Sequence, residues 1–242
     1  MIDIMDLHTH TIASGHAYNT LFQMAQAAAA KGIQVFGVTE HGPNMGGSCR
    51  PTYFGNFKVI PRDLFGLKLM MGCELNILNR EGHVDLTPDR LRCLDHGIAS
   101  IHPICYEHSD RNNVAQNTDA YVNAIRNDYV QIIGHPDDGR IPFDFDTVAA
   151  AAREHHVLLE VNSSSLAPNS VRKNARENYF KLLERCIHYG TSIIIGSDAH
   201  IITDVGNHKA AHQLLEEMAF PEELIVNTSF DKLAAFIPSL SK

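Results

Sequence analysis

Histidine, aspartate and glutamate recur in this sequence in tight groups that could bind metal ions. The chain has 15 histidines among 242 residues, and histidine is the commonest metal ligand in proteins. The first group is Asp-Leu-His-Thr-His at 6–10, in which His8 and His10 stand two positions apart. Because side chains two apart on a strand point the same way, both imidazoles can reach one ion. His16 follows after a short Ser-Gly turn.

Five further groups of the same kind follow along the chain. They are Thr-Glu-His-Gly at 39–42, Gly-Cys-Glu at 72–74, Ser-Ile-His-Pro at 100–103, Gly-His-Pro at 134–136 and Gly-Ser-Asp-Ala-His at 196–200. Together the groups supply nine candidate ligands: His8, His10, His16, His41, Glu74, His102, His135, Asp198 and His200. A catalytic zinc ion uses about three protein ligands, so this set predicts two or three ions with one bridging carboxylate.

The donor set also indicates the metal and the chemistry. Imidazole-rich ligation favours Zn²⁺, with Mn²⁺ or Fe²⁺ as alternatives, over the oxygen-preferring Mg²⁺ and Ca²⁺. Clustered ions activate water near neutral pH and offset the charge of a phosphoryl group. Phosphoester hydrolysis is therefore the leading prediction, ahead of hydrolysis of amides or other esters.

The elements that must position these ligands alternate between strand-length apolar runs and amphipathic helical stretches. Seven strands are predicted, at 4–7, 34–39, 68–74, 98–102, 130–134, 158–161 and 192–196. They are apolar on both faces, as expected for strands covered on both sides. Six of the seven end at a candidate ligand, and in a parallel β/α barrel the carboxyl strand ends form one face. The pattern predicts an α/β fold, either a barrel or an open doubly wound sheet.

The helices are marked by capping residues. Thr20 predicts the start of a helix that ends before Gly32. Asn117 or Thr118 predicts the start of a second helix that runs to position 127. Asp144 or Asp146 predicts the start of a third helix over 147–155. Further helices are predicted at 174–189 and 207–218, and a weaker strand at 224–226. The loops 42–63 and 103–116 are long enough to carry function. Since no linker or repeat interrupts the chain, one domain over residues 1–242 is expected.

Composition restricts the class of protein. The chain is 44% hydrophobic and 20% charged, which permits a sizeable core. No apolar run reaches the length of a membrane span, and the acidic N-terminus does not resemble a signal peptide. Five scattered cysteines without a Cys-x-x-Cys pair fit a reducing compartment, so a cytoplasmic protein is expected. A formal charge of −8 argues against nucleic-acid binding.

In this order, the six groups resemble the PHP (polymerase and histidinol phosphatase) family, and they span nearly the whole chain. The segments 13–18 (Ala-Ser-Gly-His-Ala-Tyr) and 162–164 (Asn-Ser-Ser) are most similar to its YcdX-like branch of small stand-alone phosphatases. The resemblance implies a distorted seven-stranded β/α barrel of the TIM type with a trinuclear zinc centre. It also implies a small phosphorylated substrate, a metal-bridging hydroxide as nucleophile and a homo-oligomer in the form of a trimer.

The resemblance also distributes the ligands among three ions. The first ion would bind His8, His10, Glu74 and Asp198, the second Glu74, His102 and His135, and the third His16, His41 and His200. Of these, Glu74, Asp198 and His200 would take the most direct part in catalysis. Three features depart from the family pattern, and one of them is a slightly longer stretch between His102 and His135. Glu40 stands where Asp is commoner, which predicts altered support of His41, and the loop after His102 differs from that of the similar proteins, which predicts a different substrate preference.

Other readings stay open at this point. A phosphodiesterase or 3′-exonuclease would use the same centre, as would a histidinol-phosphate phosphatase, and a non-catalytic metal-binding module is a third class. Eight histidines are given no catalytic role: His83, His96, His108, His155, His156, His188, His208 and His212. Arg50, Arg111 and Arg140 lie in loops that could face a phosphate, but an ordinary surface position explains each of them better.

Overall fold

The fold is built from parallel strands that alternate with helices. The computed structural model describes residues 2–107 and 110–241. The strands are β1 (Met5–Asp6), β2 (Val35–His41), β3 (Asp63–Leu64), β4 (Leu67–Asn76), β5 (Gly97–Ser100), β6 (Ile132–Ile133), β7 (Leu158–Asn162) and β8 (Ile193–Gly196). All seven predicted strands are present, and the short β3 is an addition that pairs antiparallel with β4.

Helices lie between the strands. They are α1 (Leu21–Ala30), α2 (Pro51–Phe54), α3 (Pro88–Leu91), α4 (Val114–Ile125), α5 (Phe145–Glu154), α6 (Ala175–Tyr189), α7 (Lys209–Glu217) and α8 (Phe230–Ala234). Thr20 caps α1 in a capping box with Gln23, and Asp144 caps α5, as predicted. Helix α4 begins earlier than predicted because Asn113, and not Asn117, caps it, while Asn117 bonds two backbone carbonyls.

The sheet closes on itself almost completely. Its order is β1-β2-β4-β5-β6-β7-β8, with every neighbouring pair parallel. At the carboxyl ends, His10 donates its backbone N–H to the Ala199 carbonyl at 2.9 Å, which joins the first strand to the last. The result is a nearly closed barrel of seven parallel strands, and the predicted distorted TIM-like α/β barrel is confirmed.

Lower in the barrel, a side chain completes the seam between β1 and β8. The buried Asn227 amide accepts from the Ile195 N–H at 2.7 Å and donates to the Ile195 carbonyl at 2.8 Å. The backbone carbonyl of Asn227 accepts from the Ile4 N–H at 2.9 Å. The predicted strand at 224–226 is wrong: the segment forms two 3-10 turns, and only Ile225 makes a single bridge to β8. The Asn227 side chain therefore pairs backbone groups of β8 that a neighbouring strand would otherwise pair.

Two apolar clusters fix the barrel. The inner cluster takes one side chain from each parallel strand, and the C-terminal segment packs against it: Met5, Val35, Met70, Ile98, Ile132, Leu158 and Ile194 meet Val226, Leu233, Ile237 and Leu240. A larger cluster lies between the sheet and the helices. Since the inner ring lies at the amino half of the strands, the carboxyl ends are left to polar side chains. Within the described residues, no helix is long and apolar enough to cross a membrane.

Candidate metal centre

The nine predicted ligands come together at the carboxyl ends of six strands. His8, His10 and His16 follow β1, and His41 ends β2. Glu74 lies near the end of β4, whereas the remaining ligands follow β5, β6 and β8: His102, His135, Asp198 and His200. Most of the set is buried, and His16 and His200 are the more accessible members. The barrel therefore brings together every residue that the sequence singled out.

Glu74 lies at the middle of the cluster, and its two carboxylate oxygens face different histidines. Oε1 lies 2.7 Å from His135 Nε2 and 3.3 Å from His102 Nε2. Oε2 lies 2.6 Å from His41 Nδ1 and 3.5 Å from Nε2 of both His8 and His10. This side chain can thus contribute one oxygen to each of two neighbouring ions.

Two further subsets surround Glu74. Asp198 Oδ1 lies 3.3 Å from His10 Nε2 and 3.7 Å from His8 Nε2. His16 Nε2 lies 3.2 Å from His41 Nε2 and 3.1 Å from His200 Nε2. The donor atoms converge in three-residue groups. One group is His8, His10 and Asp198, another is His10, His41 and His200, and a third is His41, Glu74 and His102. The subsets adjoin, so His10 and His41 each face more than one of them.

Several of these donor atoms are buried and have no hydrogen-bond partner among the residues that the structure describes. They are His8 Nε2, His10 Nε2, His41 Nδ1 and Glu74 Oε2. The short approach of His41 to Glu74 lacks the geometry of a hydrogen bond, so both atoms belong to this group. Buried polar atoms are nearly always satisfied, and leaving them unpaired is costly. Lone pairs that converge from imidazoles and a carboxylate fit divalent cations of the zinc type.

The protonation states also suit cation binding. Burial opposes ionisation of Glu74, yet His102, His41 and His8 together hold its pKa well below the usual value. Burial, reinforced by His41, lowers the pKa of His10 well below 6.5. Both shifts favour the forms that ligate metals, an ionised carboxylate at Glu74 and a neutral imidazole at His10.

His8 shows that carboxylates dominate the surrounding field. Burial disfavours its charged form, but Glu160, Glu74 and Asp198 raise its pKa well above the usual 6.5. Asp198 is buried as well, and His8, His10 and Arg172 lower the pKa of its carboxyl group. Positive charge is thus favoured at this position, whether a proton or a metal ion supplies it.

A second layer of side chains fixes the orientation of the imidazole rings. His8 Nδ1 lies 2.7 Å from Glu160 Oε1, and His102 Nδ1 lies 2.7 Å from Asn76 Oδ1. His10 Nδ1 lies 3.1 Å from Ser14 Oγ. In each case the other ring nitrogen, Nε2, faces the cluster. Such partners select the tautomer that leaves the ligating nitrogen free.

Glu160 was not predicted, and it comes from β7, the one parallel strand that supplies no ligand. Its Oε2 accepts from the His135 backbone N–H at 2.8 Å and from Asn162 Nδ2 at 3.2 Å. A Cβ on Gly196 would lie 2.1 Å from Oε1, so the carboxylate requires glycine at that position. The available signal was a carboxylate inside a strand that is otherwise apolar, since such a group must find donors.

Glu40 supports the cluster differently from the prediction. Its carboxylate accepts from the hydroxyls of Thr11 and Ser14, and Ser14 in turn contacts His10 Nδ1. Glu40 contacts the His41 side of the site only through Ser14 Oγ, which accepts from the His41 backbone N–H at 3.2 Å. The support that was expected for the His41 ring therefore reaches His10.

Two candidate ligands lie in the left-handed region of backbone conformation. His135 has a φ of 31° and Asp198 a φ of 54°. Non-glycine residues adopt this region at an energetic cost, and they concentrate at functional sites. The turns after β6 and β8 are thus held in conformations that direct these two side chains into the cluster.

A cavity of about 1010 Å³ opens beside the cluster, lined by His102, His135, Asp198 and His200. Arg172, which the sequence analysis passed over, also lines it, with 14% of its side chain exposed. Its guanidinium donates to Ser165 Oγ at 2.8 Å and to Asp198 Oδ2 at 3.2 Å. Of the three arginines considered from sequence, only Arg140 is among the described residues that line the cavity.

The other histidines separate into three groups. His83, His155, His156 and His188 are exposed, as the sequence suggested. His96 is buried and donates to the Leu7 carbonyl at 3.2 Å. His208 and His212 meet Asp3 away from the cluster. His108 lies outside the described residues.

Comparison with known proteins agrees with this site. The chain is 41% identical over 234 residues to a probable phosphatase of Thermoanaerobacter sp. (strain X514), covering 97% of this chain and 94% of the relative. It is 42% identical over 239 residues to a probable phosphatase of Caldanaerobacter subterraneus subsp. tengcongensis, covering 99% and 92% of the two chains.

Among solved structures, the fold is similar to histidinol phosphate phosphatase of Lactococcus lactis, crystallised with zinc, L-histidinol and phosphate. The TM-score is 0.62 at 19% identity, over 91% of this chain and 95% of that one. At this identity the likeness concerns the fold. The family model described as PHP domain matches residues 6–166. The chain therefore belongs to the PHP domain family.

Proposed function

We propose that this protein is a metal-dependent phosphatase that cleaves small phosphomonoesters at a centre of two or three divalent ions. One observation carries the proposal. Glu74 directs each carboxylate oxygen at a separate set of imidazoles, and converging donor atoms around it are buried without hydrogen-bond partners in the described structure. The similarity to proteins named probable phosphatases supports the same activity.

The ligands divide among three ions in this proposal. One ion binds His8, His10, Glu74 and Asp198; a second binds Glu74, His102 and His135; the third binds His16, His41 and His200. Zinc is the proposed metal because seven of these nine side chains are imidazoles, with Mn²⁺ or Fe²⁺ as alternatives. The Lactococcus protein is described as a zinc complex.

The third subset differs from the others in its exposure. His16 and His200 are less buried than His8 and His10, and His200 lines the cavity. An ion held there has fewer buried donors around it and faces the substrate side. We therefore propose that the third ion is the most weakly held and that His200 lies next to the bound phosphoryl group.

The chain's own groups then account for substrate positioning. Bound divalent ions supply activated water near neutral pH and offset phosphoryl charge. Arg172 presents a planar guanidinium, suited to bidentate phosphate contacts, into the cavity. Asp198 and Ser165 hold that guanidinium in place at 3.2 and 2.8 Å, so it needs little reorganisation when substrate binds.

A phosphomonoester is favoured over a polynucleotide. The formal charge of −8 disfavours a long polyanion. The cavity is lined by acidic side chains, Asp138 and Asp204 among them, as well as by the basic Arg172. Histidinol phosphate, whose product occupies the Lactococcus relative of this fold, is one monoester to include among the substrates tested.

Substitution of Glu74 tests the proposal. Glu74→Gln removes the charge shared between two ions, so the protein should retain fewer ions per chain. Hydrolysis of p-nitrophenyl phosphate should fall by more than about 100-fold, the upper range for losing an outer-sphere partner alone. The measurements are metal content by mass spectrometry and initial rates on the monoester and on bis-p-nitrophenyl phosphate.

Glu81→Gln is the matched control because Glu81 is exposed and lies outside the centre. It should behave as the wild type in both measurements. Wild-type protein that hydrolyses the diester faster than the monoester would contradict the monoesterase assignment. Full activity of the chelated protein, or of Glu74→Gln, would contradict the metal mechanism itself.

A further inference from the structure

A second cluster of metal-binding character lies apart from the strand-end centre. Asp3 precedes β1, His208 is the residue before α7, and His212 lies one turn into that helix. Asp3 Oδ2 is 2.6 Å from His208 Nδ1 and 2.8 Å from His212 Nε2. We propose that Asp3, His208 and His212 form an additional binding site for a divalent transition-metal ion of the zinc type.

The spacing of the two histidines is the first argument. Residues four apart on a helix lie on the same face, one turn from each other. The His212 backbone N–H donates to the His208 carbonyl at 2.9 Å, so the helical turn between them is formed. Two imidazoles at this spacing can bind one zinc ion, as in helical His-x-x-x-His sites. Asp3 reaches the same point from the segment before β1 and completes three protein ligands.

The second argument is the pattern of unsatisfied atoms. Both imidazoles converge on Oδ2 of Asp3, while its other oxygen, Oδ1, is buried and has no hydrogen-bond partner among the described residues. His208 Nε2, the ring nitrogen that faces away from Asp3, is likewise buried without a partner in the described part of the chain. Simple carboxylate–imidazole hydrogen bonds could use both oxygens. Convergence of three donor atoms on one point is the arrangement that an ion requires.

A buried carboxylate stands behind His208. Asp6 Oδ1 lies 3.6 Å from His208 Nε2, on the ring edge opposite to Asp3. Ligating histidines commonly direct their second nitrogen at a carboxylate, which fixes the tautomer and strengthens the ligand. Asp6, His208 and an ion at Nδ1 would form such a triad. The two carboxylates that flank His208 also leave a negative field that a cation would offset.

The site has room for ligation and access from solvent. Tetrahedral ligation at about 2.0–2.1 Å separates donor atoms by roughly 3.3 Å. The Asp3 carboxylate, now 2.6 and 2.8 Å from the two ring nitrogens, would therefore move away from them by about 0.5–0.7 Å. The His212 side chain is 22% exposed, whereas those of His208 and Asp3 are 3% and 7% exposed. The fourth position therefore opens towards His212 and can take water.

The ion would have a structural role. Asp6 also accepts from Ser197 Oγ at 2.5 Å and from the Gly206 N–H at 2.8 Å. The cluster thus joins β1 and α7 to the ends of the loop that carries Asp198 and His200. It is distinct from the proposed catalytic centre, since none of its three ligands belongs to the set of nine.

His212→Gln tests the site, because glutamine can still donate to Asp3 but is a poor ligand. His188→Gln, on the exposed face of α6, is the matched control. After equilibration with zinc and removal of free ion, His212→Gln should retain one ion fewer per chain than wild type and His188→Gln. Hydrolysis of p-nitrophenyl phosphate should stay near the wild-type rate. Equal zinc content in all three proteins would overturn the proposal.

A second measurement needs no substitution in the cluster. Diethyl pyrocarbonate should modify His212 in the chelated wild type, and zinc should slow that modification severalfold relative to His188, followed by peptide mass spectrometry. The same protection should appear in Glu74→Gln, where the strand-end centre is disrupted, so the two sites are tested separately. A His212 modification rate that zinc leaves unchanged in both proteins would overturn the site.

Discussion

Glu160 offers the sharpest test of how the strand-end cluster is held in its ligating form. It is buried, and it accepts from three donors at once: His8 Nδ1 at 2.7 Å, the His135 backbone N–H at 2.8 Å and Asn162 Nδ2 at 3.2 Å. Oε1 serves His8, and Oε2 serves the other two. A carboxylate can accept all three, because both of its oxygens are acceptors.

Glu160→Gln preserves the shape but replaces one oxygen with a donor. If the amide nitrogen faces the His135 N–H and Asn162, two hydrogen bonds are lost and donors oppose each other. If it faces His8 instead, His8 must accept at Nδ1 and carry its proton on Nε2, the nitrogen that faces Glu74 and Asp198. Either orientation disturbs a proposed ligand, and loss of an outer-sphere partner costs about 10–100-fold in metal affinity or activity.

The assay compares Glu160→Gln with Glu184→Gln, whose carboxylate is exposed on α6. Zinc affinity is measured by competition with a chromogenic chelator, and activity by hydrolysis of p-nitrophenyl phosphate. Glu160→Gln should bind the tighter ions about 10–100-fold more weakly, while Glu184→Gln should match the wild type. Affinity and rate within about twofold of wild type would refute the argument that Glu160 sets the tautomer of His8.

Three further predictions follow from single side chains. Arg172→Lys should raise KM for p-nitrophenyl phosphate by about tenfold, the equivalent of one charge-assisted hydrogen bond, with metal content unchanged as the control. Asn227→Leu leaves the N–H and carbonyl of Ile195 unpaired, so the free energy of unfolding in urea should fall by about 2–4 kcal/mol. An unchanged unfolding midpoint would show that the Asn227 amide does not stabilise the junction between β1 and β8. Burial lowers the pKa of His96 below 6.5 in the folded protein. As the pH falls, His96 therefore takes up a proton in the unfolded chain before it does so in the folded chain, and the folded state loses stability below about pH 6.5. His96→Gln should therefore lose less stability than wild type between about pH 7 and pH 5, with both proteins free of metal; equal losses would contradict the assignment.

The barrel was predictable because each parallel strand carries its own signal. Runs such as 192–196 are apolar on both faces, and such runs alternate with helices whose caps can be recognised. The segment 224–226 was misassigned for a physical reason. It is equally apolar, but Val226 packs into the barrel interior and Ile225 makes a single bridge to β8. The Asn227 side chain, and not a strand, pairs with the backbone of Ile195.

The convergence of the proposed ligands was predictable because it requires no knowledge of tertiary pairing. In a parallel barrel every strand ends on the same face, so a histidine that follows a strand is placed near all the others. Arg172 could not be found this way, since it precedes α6 in a loop and reaches the site by contact with Ser165 and Asp198. Its type and position resemble those of any surface arginine.

The residues that orient the ligands require pairing across the whole chain. His8 and Glu160 stand 152 positions apart, and His102 and Asn76 stand 26 apart. Nevertheless, β7 carried a usable signal, because an ionised carboxylate in a buried strand must be paired with donors. Strands β6 and β8 flank β7, and the ends of both carry proposed ligands. A buried carboxylate in the one strand without a ligand should therefore be assigned to the imidazoles of its neighbours, and Glu160→Gln measures whether that assignment is correct.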